Sequence, residues 1–300
     1  MKRPSLAIFA NFFIDNEERF QRMKDSFHSF KKSNPNQWVI NIRGQLKYQA
    51  GEFLKNEIGK KLELFYLQSR RGWFHDSKII LNKMYANYIL FWIEDHILIS
   101  SPEILNNCII EMSEFNVDQL WYSFLTKEIK ARFNILKTHK KGKYITVTKL
   151  DYESCSKIRD KLNNDFYTVS AASIMNRNFF IKVLSSNKPY LKRWPRHLPF
   201  DFEKKSCDKI SPIILHSLPK QELFVPIDDD KDEIGYSLIS RGLYQNRVNR
   251  NYLQILEYKN LYIWKIKIKN LLSGKYSKYF LLMFRYLYRI FITFNLFFNK

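Results

Sequence analysis

The stretch "FWIEDHILISSPEIL", Phe91 to Leu105, largely decides which fold class the sequence predicts. An apolar run ends abruptly in Glu94, Asp95 and His96, and a second apolar run follows. Ser-Pro-Glu then begins a helix, because serine caps helix N-termini and proline suits the first turn. The pattern predicts a buried strand that ends in three polar side chains able to bind a ligand or a metal. An ordinary polar strand exit, capped by carboxylates, is the alternative.

Strands alternate with helices on the N-terminal side of this stretch and just after it. Helical spacing and helix-start residues predict a helix between successive apolar runs, with Asp15 and Glu18 as a capping box on the first. Alternation of this kind predicts a mostly parallel sheet flanked by helices, in which ligands bind outside the carboxyl ends of the strands. The predicted strands are Ser5–Phe13, Trp38–Ile42, Leu62–Leu67, Asn87–Ile93 and Val117–Leu125.

Composition sets the class of molecule and its partners. The 300 residues are 45% apolar, which is typical of a globular protein rather than a disordered one. The formal net charge of +21 predicts an anionic partner: nucleic acid, anionic lipid or a phosphorylated small molecule. The three cysteines are far apart and form no C-x-x-C motif, so a reducing compartment is expected. No signal peptide is evident at the N-terminus.

A family resemblance follows from the order of these segments. The order is a strand, the turn "DNEERF", two helix and strand pairs, Arg70-Arg71-Gly72-Trp73, a further helix, and a strand that ends in an acidic triplet. This order resembles the nucleotide-sugar-binding half of a GT-A glycosyltransferase of the family 2-like type, over about residues 5–125 and less closely to about 245. The resemblance implies a GT-A-like Rossmann-type sheet and a nucleotide-sugar donor. It assigns donor binding to Asn16, Asn41, Arg43, Arg70, Arg71, Glu94 and Asp95.

Two positions depart from that family pattern. Glu94-Asp95-His96 stands in place of Asp-x-Asp. Asn41 and Arg43, in "NIRGQ", stand where an acidic residue commonly touches the nucleotide base. Arg70 and Arg71 follow the third predicted strand and are expected to face the same crevice, with a solvated basic loop as the alternative.

Diphosphate chemistry gives the acidic triplet a role. The departing diphosphate gains negative charge, which a divalent cation bridging both phosphates stabilises. Mg²⁺ prefers carboxylate oxygen and Mn²⁺ also accepts imidazole, so either ion suits this triplet. We therefore expect Glu94, Asp95 and His96 to be metal ligands, with His216 as a further one. A lone histidine such as His216 is alternatively a structural residue.

The acceptor side requires a general base. Inverting transfer needs a carboxylate near the acceptor hydroxyl to take its proton as the hydroxyl attacks the anomeric carbon. Asp201 and Glu203 lie two residues apart in "PRHLPFDFEK", so in an extended chain their side chains point the same way. They also match the acidic pair that carries the base in the resembled family. A charged helix start capped by Asp201 is the alternative.

The C-terminal segment, residues 258–300, differs from the rest of the chain. It contains nine Lys or Arg residues, thirteen aromatic residues and no acidic residue. Basic and aromatic residues on one amphipathic helix are typical of an anchor that lies on anionic lipid. We therefore divide the chain into a nucleotide-sugar-binding half (1–125), an acceptor-binding half of the same domain (126–257) and a membrane-associating tail (258–300). Packing of the tail on the catalytic domain or on an oligomer partner is the alternative.

The function expected from these observations is sugar transfer from a nucleotide-sugar to a glycan or glycolipid acceptor, of lipopolysaccharide or capsule type. The protein would be cytoplasmic and peripheral at the inner face of the cell membrane. A basic nucleic-acid-binding protein and a phosphoryl-transfer enzyme are the alternatives. No nucleic acid partner is expected, because the sequence lacks RNP, helix-turn-helix and zinc signatures. The phosphoryl-transfer alternative is not favoured either, because the eight glycines are scattered and the sequence contains no Walker A loop.

Overall fold

The computed structural model describes six stretches of the chain and one isolated residue. They are residues 4–68, 73–123, 125, 133–162, 172–185, 211–228 and 236–245, with the backbone alone described at 73–75, 162, 184 and 185. All of them lie in one compact unit, Met1–Asn246.

The first half of the chain alternates strands with helices, as the sequence predicts. Each predicted strand is present, although several are shorter than the apolar run that predicted them. The strands are β1 (Leu6–Phe13), β2 (Gln37–Arg43), β3 (Leu62–Phe65), β4 (Tyr88–Trp92), β5 (His96–Leu98) and β6 (Gln119–Trp121). The helices are α1 (Glu17–Phe30), α2 (Lys47–Ile58), α3 (Trp73–Leu81) and α4 (Pro102–Glu114), with single 3₁₀ turns at Lys31–Ser33 and Gly59–Lys61.

The second half adds a hairpin and two further crossings of the same sheet. The segment "SAASIMNRNFF" contains a strand that leads into a helix. The strands are β7 (Thr138–Lys141), β8 (Ile145–Leu150), β9 (Ser173–Asn176), β10 (Ile214–Pro219) and β11 (Phe224–Pro226), and the helices are α5 (Tyr152–Leu162) and α6 (Arg177–Ser185).

One nine-stranded sheet organises the described residues, in the order β3-β2-β1-β4-β9-β6-β10-β8-β7. Neighbours among β3, β2, β1 and β4 are parallel, as are β6 and β10. Strand β9 runs antiparallel between β4 and β6, and β8 runs antiparallel between β10 and β7. The mostly parallel, helix-flanked sheet that the resemblance to GT-A enzymes implies is thereby confirmed.

Helix α1 fixes the position of the central strands through an aromatic core. Its Phe27 and Phe30 are fully buried and pack on Trp38 of β2 and Trp92 of β4, with ring centroids 5.2 to 6.1 Å apart. Aromatic pairs at these separations add to the free energy gained by burial. The helix that follows β1 is therefore held firmly against the strand that carries the acidic triplet.

Two helix starts test the predicted caps. The cap of α4 is Ser101, whose Oγ accepts a hydrogen bond from the N–H of Ile104 at 3.3 Å, as predicted. The cap of α1 is Asn16 rather than Asp15, since the Asn16 side chain accepts from the N–H of Arg19 at 2.9 Å. Asn16 adopts the extended backbone that a cap requires.

Within the ranges given above, no helix combines the length and hydropathy that crossing a bilayer requires. The predicted membrane-associating tail, residues 258–300, lies outside the described residues.

Candidate active site

The acidic turn, residues 93–96, connects β4 to β5 at the carboxyl end of β4. Hydrogen bonds within the turn and to residue 227 hold its backbone in place. The N–H of His96 donates to the carbonyl of Ile93 at 3.2 Å, and the N–H of Ile227 donates to the carbonyl of Asp95 at 2.7 Å. Strand β11 also pairs antiparallel with β5, which joins residues 224–226 to the exit of the turn. Glu94 and Asp95 are thereby presented, partly exposed, at the sheet edge where ligands bind in parallel α/β folds.

His96 points inward rather than outward. Its side chain is 3% exposed, and its ring lies 6.3 Å from that of Tyr122. Its Nδ1 lies 2.8 Å from Oδ1 of Asp95. The Ser26 hydroxyl of α1 donates to the His96 carbonyl and accepts from Nε1 of Trp92 at 2.8 Å. These contacts make His96 the residue that orients Asp95.

The two carboxylates of the turn differ in their tendency to ionise. Burial raises the pKa of Glu94 to about 7, and the neighbouring negative charge of Asp95 adds to the rise. Burial also acts on Asp95, but the hydrogen bond and positive charge of His96, with a contribution from Arg22, outweigh it and lower the pKa of Asp95. Mutual repulsion between the two carboxylates is the condition that a bound cation relieves.

A buried ion-pair network ties α1 to the segment after β11. Arg22 is 7% exposed, its Nε lies 2.7 Å from a carboxylate oxygen of Glu18, and its Nη1 lies 2.5 Å from one of Asp228. Burial alone would lower the pKa of Arg22, but these two carboxylates raise it. The Tyr244 hydroxyl donates to Asp25 of α1 at 2.6 Å. The network holds the segment that carries Ile227 against the acidic turn.

A second polar cluster lies near the carboxyl ends of β1 and β2. Asn41 is fully buried, its Nδ2 donates to Oδ1 of Asn11 and to the carbonyl of Leu67 at 3.0 Å, and its Oδ1 accepts from the N–H of Leu67 at 2.7 Å. Asn41, predicted to bind the donor, therefore fastens the exit of β3, which leads toward Arg70 and Arg71.

Arg43 belongs to the same cluster. It is 3% exposed, and its Nε donates to Oδ1 of Asn11 at 3.2 Å. Burial lowers its pKa, which the negative charges of Asp76 and Glu94 oppose. Its Nη2 has no hydrogen-bond partner within the described part of the chain. Among the predicted donor-binding residues, Arg43 and Glu94 are close enough to interact electrostatically.

The other predicted donor residues are placed apart from this cluster or outside the described ranges. Asn16 caps α1, and its Nδ2 also donates to Asp15 at 3.0 Å. The described ranges do not include Arg70, Arg71 or the predicted base residues Asp201 and Glu203.

The structure does not bring His216 to the acidic turn. It lies in β10, and the strand registers place it level with Gln119, Met175 and Ile89. Ile89 precedes Glu94 by five residues, which is about 16 Å along a strand. The ring of His216 is fully buried against Trp121 and Phe133, and burial lowers its pKa to about 3. His216 thus has the structural role that was the alternative.

The carboxylates of the turn suit a cation of the kind that a diphosphate brings with it. No group of three His, Cys, Asp or Glu side chains that could hold a metal is found among the residues the structure describes. Mg²⁺ bound with nucleotides commonly uses only one or two carboxylates plus phosphate oxygens and water. Glu94 and Asp95, which repel one another, fit that coordination, and Nδ1 of His96 lies 2.8 Å from Oδ1 of Asp95.

The comparisons with known proteins give matches among solved structures alone. No family model matches the chain, and no curated protein matches its sequence. Crystal structures of S. aureus TarS are similar over 73% of this chain, with 13% identity and a TM-score of 0.47 for the longer form. The form spanning residues 1–349 has been solved with UDP (15% identity, TM-score 0.46) and with UDP-GlcNAc (13% identity, TM-score 0.44). This chain spans 36% to 59% of the length of those TarS chains.

Three residues that shape the site give little signal in the sequence. Arg22 and Asp228 are 206 positions apart and meet only in the folded chain. Asn11 lies inside an apolar strand, and that position was the one clue to its role. A polar side chain within a buried strand requires partners, and Asn11 finds them on the neighbouring strand β2.

Proposed function

We propose that this chain is a glycosyltransferase that moves a sugar from a nucleotide-sugar donor to a surface glycan or glycolipid acceptor, with inversion. The observation that carries the proposal is the acidic turn. Its two partly exposed carboxylates stand at the carboxyl end of β4, in a turn fixed on one side by α1 and on the other by β11. A mostly parallel sheet binds its ligand at this edge.

Each part of the site has a role in the proposed reaction. A divalent cation bound with the donor by Glu94 and Asp95 would neutralise the charge of the departing diphosphate. His96 keeps Asp95 ionised and oriented through the hydrogen bond to Nδ1. Arg43 adds fixed positive charge beneath the same strand ends, and positive charge held in place stabilises a developing anion without reorganisation. We include Asp201 or Glu203 in the proposal as the base that deprotonates the acceptor hydroxyl.

The cellular setting is part of the same proposal. The basic, aromatic composition of residues 258–300 suits the headgroup region of an anionic membrane. An enzyme that is cytoplasmic and peripheral at the inner membrane face would meet a lipid-linked or growing glycan there, of lipopolysaccharide or capsule type.

Ligand-dependent stability tests the proposal directly. A thermal-shift screen of nucleotide sugars, beginning with UDP-GlcNAc, should raise the Tm of the full chain because binding to the native state stabilises it by mass action. The screen should be run with Mn²⁺, with Mg²⁺ and with EDTA. Asp95→Asn should remove the shift while leaving the Tm without ligand close to that of the wild type, since Asp95 is partly exposed.

The outcomes separate the candidate functions. Release of a nucleoside diphosphate or monophosphate from a sugar nucleotide supports glycosyl transfer. Phosphate transfer from a nucleoside triphosphate, with no response to any sugar nucleotide, would replace this proposal by phosphoryl transfer. An Asp95→Asn variant that responds as the wild type does would remove the acidic turn from the site.

A further inference from the structure

The hairpin formed by β7 and β8 carries a dense positive charge. Residues 137–143, "KTHKKGK", contain four lysines and a histidine in seven positions, with no acidic residue. Lys137, His139, Lys141 and Lys143 are exposed and Lys140 is half-buried. We call residues 137–143 the basic hairpin.

The shape of the basic hairpin is fixed from below by one buried carboxylate. Glu111 of α4 accepts hydrogen bonds from the N–H groups of Lys143, Tyr144 and Ile145 at 2.6 to 2.9 Å. Gly142 lies so close that an added Cβ would come within 2.2 Å of Oε2 of Glu111. The Glu111 carboxylate is therefore bound by three backbone N–H groups of the turn, which hold the turn against α4.

The lysines of the basic hairpin form no salt bridge with any residue in the described ranges. Two of them lie over aromatic rings instead: Lys140 is 5.5 Å from the ring centroid of Phe115 and Lys143 is 5.2 Å from that of Tyr144. Lys220, just after β10, donates to the Gly142 carbonyl. The lysines at the tip thus present ammonium groups that form no ion pair with any carboxylate the structure describes.

The strand registers place this tip on the same sheet edge as the acidic turn. Paired positions run across the sheet in the order Leu90, Ile174, Leu120, Ser217, Val147 and Lys140. Lys140 is therefore level with Leu90, and Lys143 is level with the residues just after β4. Five strand spacings separate β4 from β7, which amounts to about 24 Å. Both features face the side on which the proposed reaction takes place.

We propose that the basic hairpin binds the acceptor, and that the acceptor is a polyanionic glycan bearing phosphate or carboxylate groups. This inference rests on the proposed function, because the acceptor is defined by the transfer reaction. A chain long enough to reach from the acidic turn across the ends of β9, β6 and β10 would place its anionic groups on Lys141, Lys143 and Lys220. Such binding would hold the growing polymer near the site between transfers.

An anionic bilayer is the competing partner for the same charge. Interfacial binding to a bilayer needs buried apolar area as well as positive charge. No large apolar side chain of residues 137–143 is available for this purpose, because the segment is made of Lys, Thr, His and Gly. The basic hairpin therefore fits a solvated polyanion better than a membrane.

The test compares two charge-matched variants of the full chain. The hairpin variant carries Lys137→Gln, Lys141→Gln and Lys143→Gln. The control variant carries Lys32→Gln, Lys55→Gln and Lys60→Gln, three lysines that are exposed on or beside other elements. Binding to fluorescent dextran sulfate, with neutral dextran of equal length as the blank, is measured over a range of salt concentrations. The thermal shift with the same screen of nucleotide sugars is recorded for every protein.

We expect the hairpin variant to bind dextran sulfate roughly 10- to 100-fold more weakly than the wild type, and the control variant to bind as the wild type does. Both variants should keep the donor shift of the wild type. Equal binding by the two variants would overturn the inference. Binding to phosphatidylglycerol vesicles is measured in parallel, and a loss confined to those vesicles would also overturn the inference and assign the basic hairpin to the membrane. A wild type that binds dextran sulfate through the basic hairpin but shows no thermal shift with any nucleotide sugar of the screen would refute the proposed function instead.

Discussion

Replacing Glu94 by glutamine should make the protein more stable at pH 8 and less active. The pKa of Glu94 is raised from 4.5 to about 7, so the native state holds this proton more tightly than the unfolded chain does. The stability that this protonated carboxyl contributes is fully present below pH 4.5 and is lost as the pH rises through about 7. At pH 8 the wild type therefore carries the whole cost of an ionised Glu94, and the neutral amide of glutamine carries none.

The size of the effect follows from the shift. The rise in the pKa of Glu94 from 4.5 to about 7 corresponds to at most about 3 kcal/mol of unfolding free energy, at about 1.4 kcal/mol per pH unit. Glu94 is partly exposed and water screens its charge, so about 1–2 kcal/mol is the expected gain. For a domain of this size, that corresponds to a Tm roughly 2–8 °C higher.

The assay is thermal and urea unfolding of the wild type and Glu94→Gln at pH 5 and pH 8, with EDTA present so that no metal masks the repulsion. Glu52→Gln, at an exposed position on α2, is the matched control. The stability difference should be largest at pH 8 and should shrink at pH 5. If the difference in stability between Glu94→Gln and the wild type is the same at pH 5 and at pH 8, burial and Asp95 do not raise the pKa of Glu94 as argued.

Three further predictions concern other parts of the chain. Arg22→Gln should destabilise the protein by about 3–5 kcal/mol in urea unfolding, because it removes the charged partner that two largely buried carboxylates share; a loss below 1 kcal/mol would contradict a structural role for the network. Asp201→Asn or Glu203→Gln should lower the turnover number by about 10²–10⁴-fold with donor affinity unchanged, and normal turnover by both variants would place the base elsewhere. Deleting residues 258–300 should abolish flotation with anionic vesicles while preserving the donor thermal shift, and the tail is not the anchor if flotation persists.

Sequence patterns predicted much of the fold because the relevant signals are local. The apolar sequence that forms β4 and the Ser101 cap of α4 are each signalled by residues within a few positions of one another. Both are present where they were predicted. Strand β9 was not predicted, because its four residues "SIMN" carry too short a pattern to distinguish a strand from a helix entry. Pairing with β4 and β6 on either side makes it a strand.

The features of the candidate site also differ in whether local sequence or tertiary structure determines them. The sequence by itself determined that two carboxylates follow a buried strand, because hydrophobic periodicity shows where the strand ends. Only the tertiary structure decided that the His96 ring turns inward to hold Asp95, that Asn41 fastens the exit of β3, and that Arg22 meets Asp228. Each of these outcomes depends on which groups a side chain finds beside it after folding. Residues distant along the chain supply those groups, and a local pattern carries no information about them.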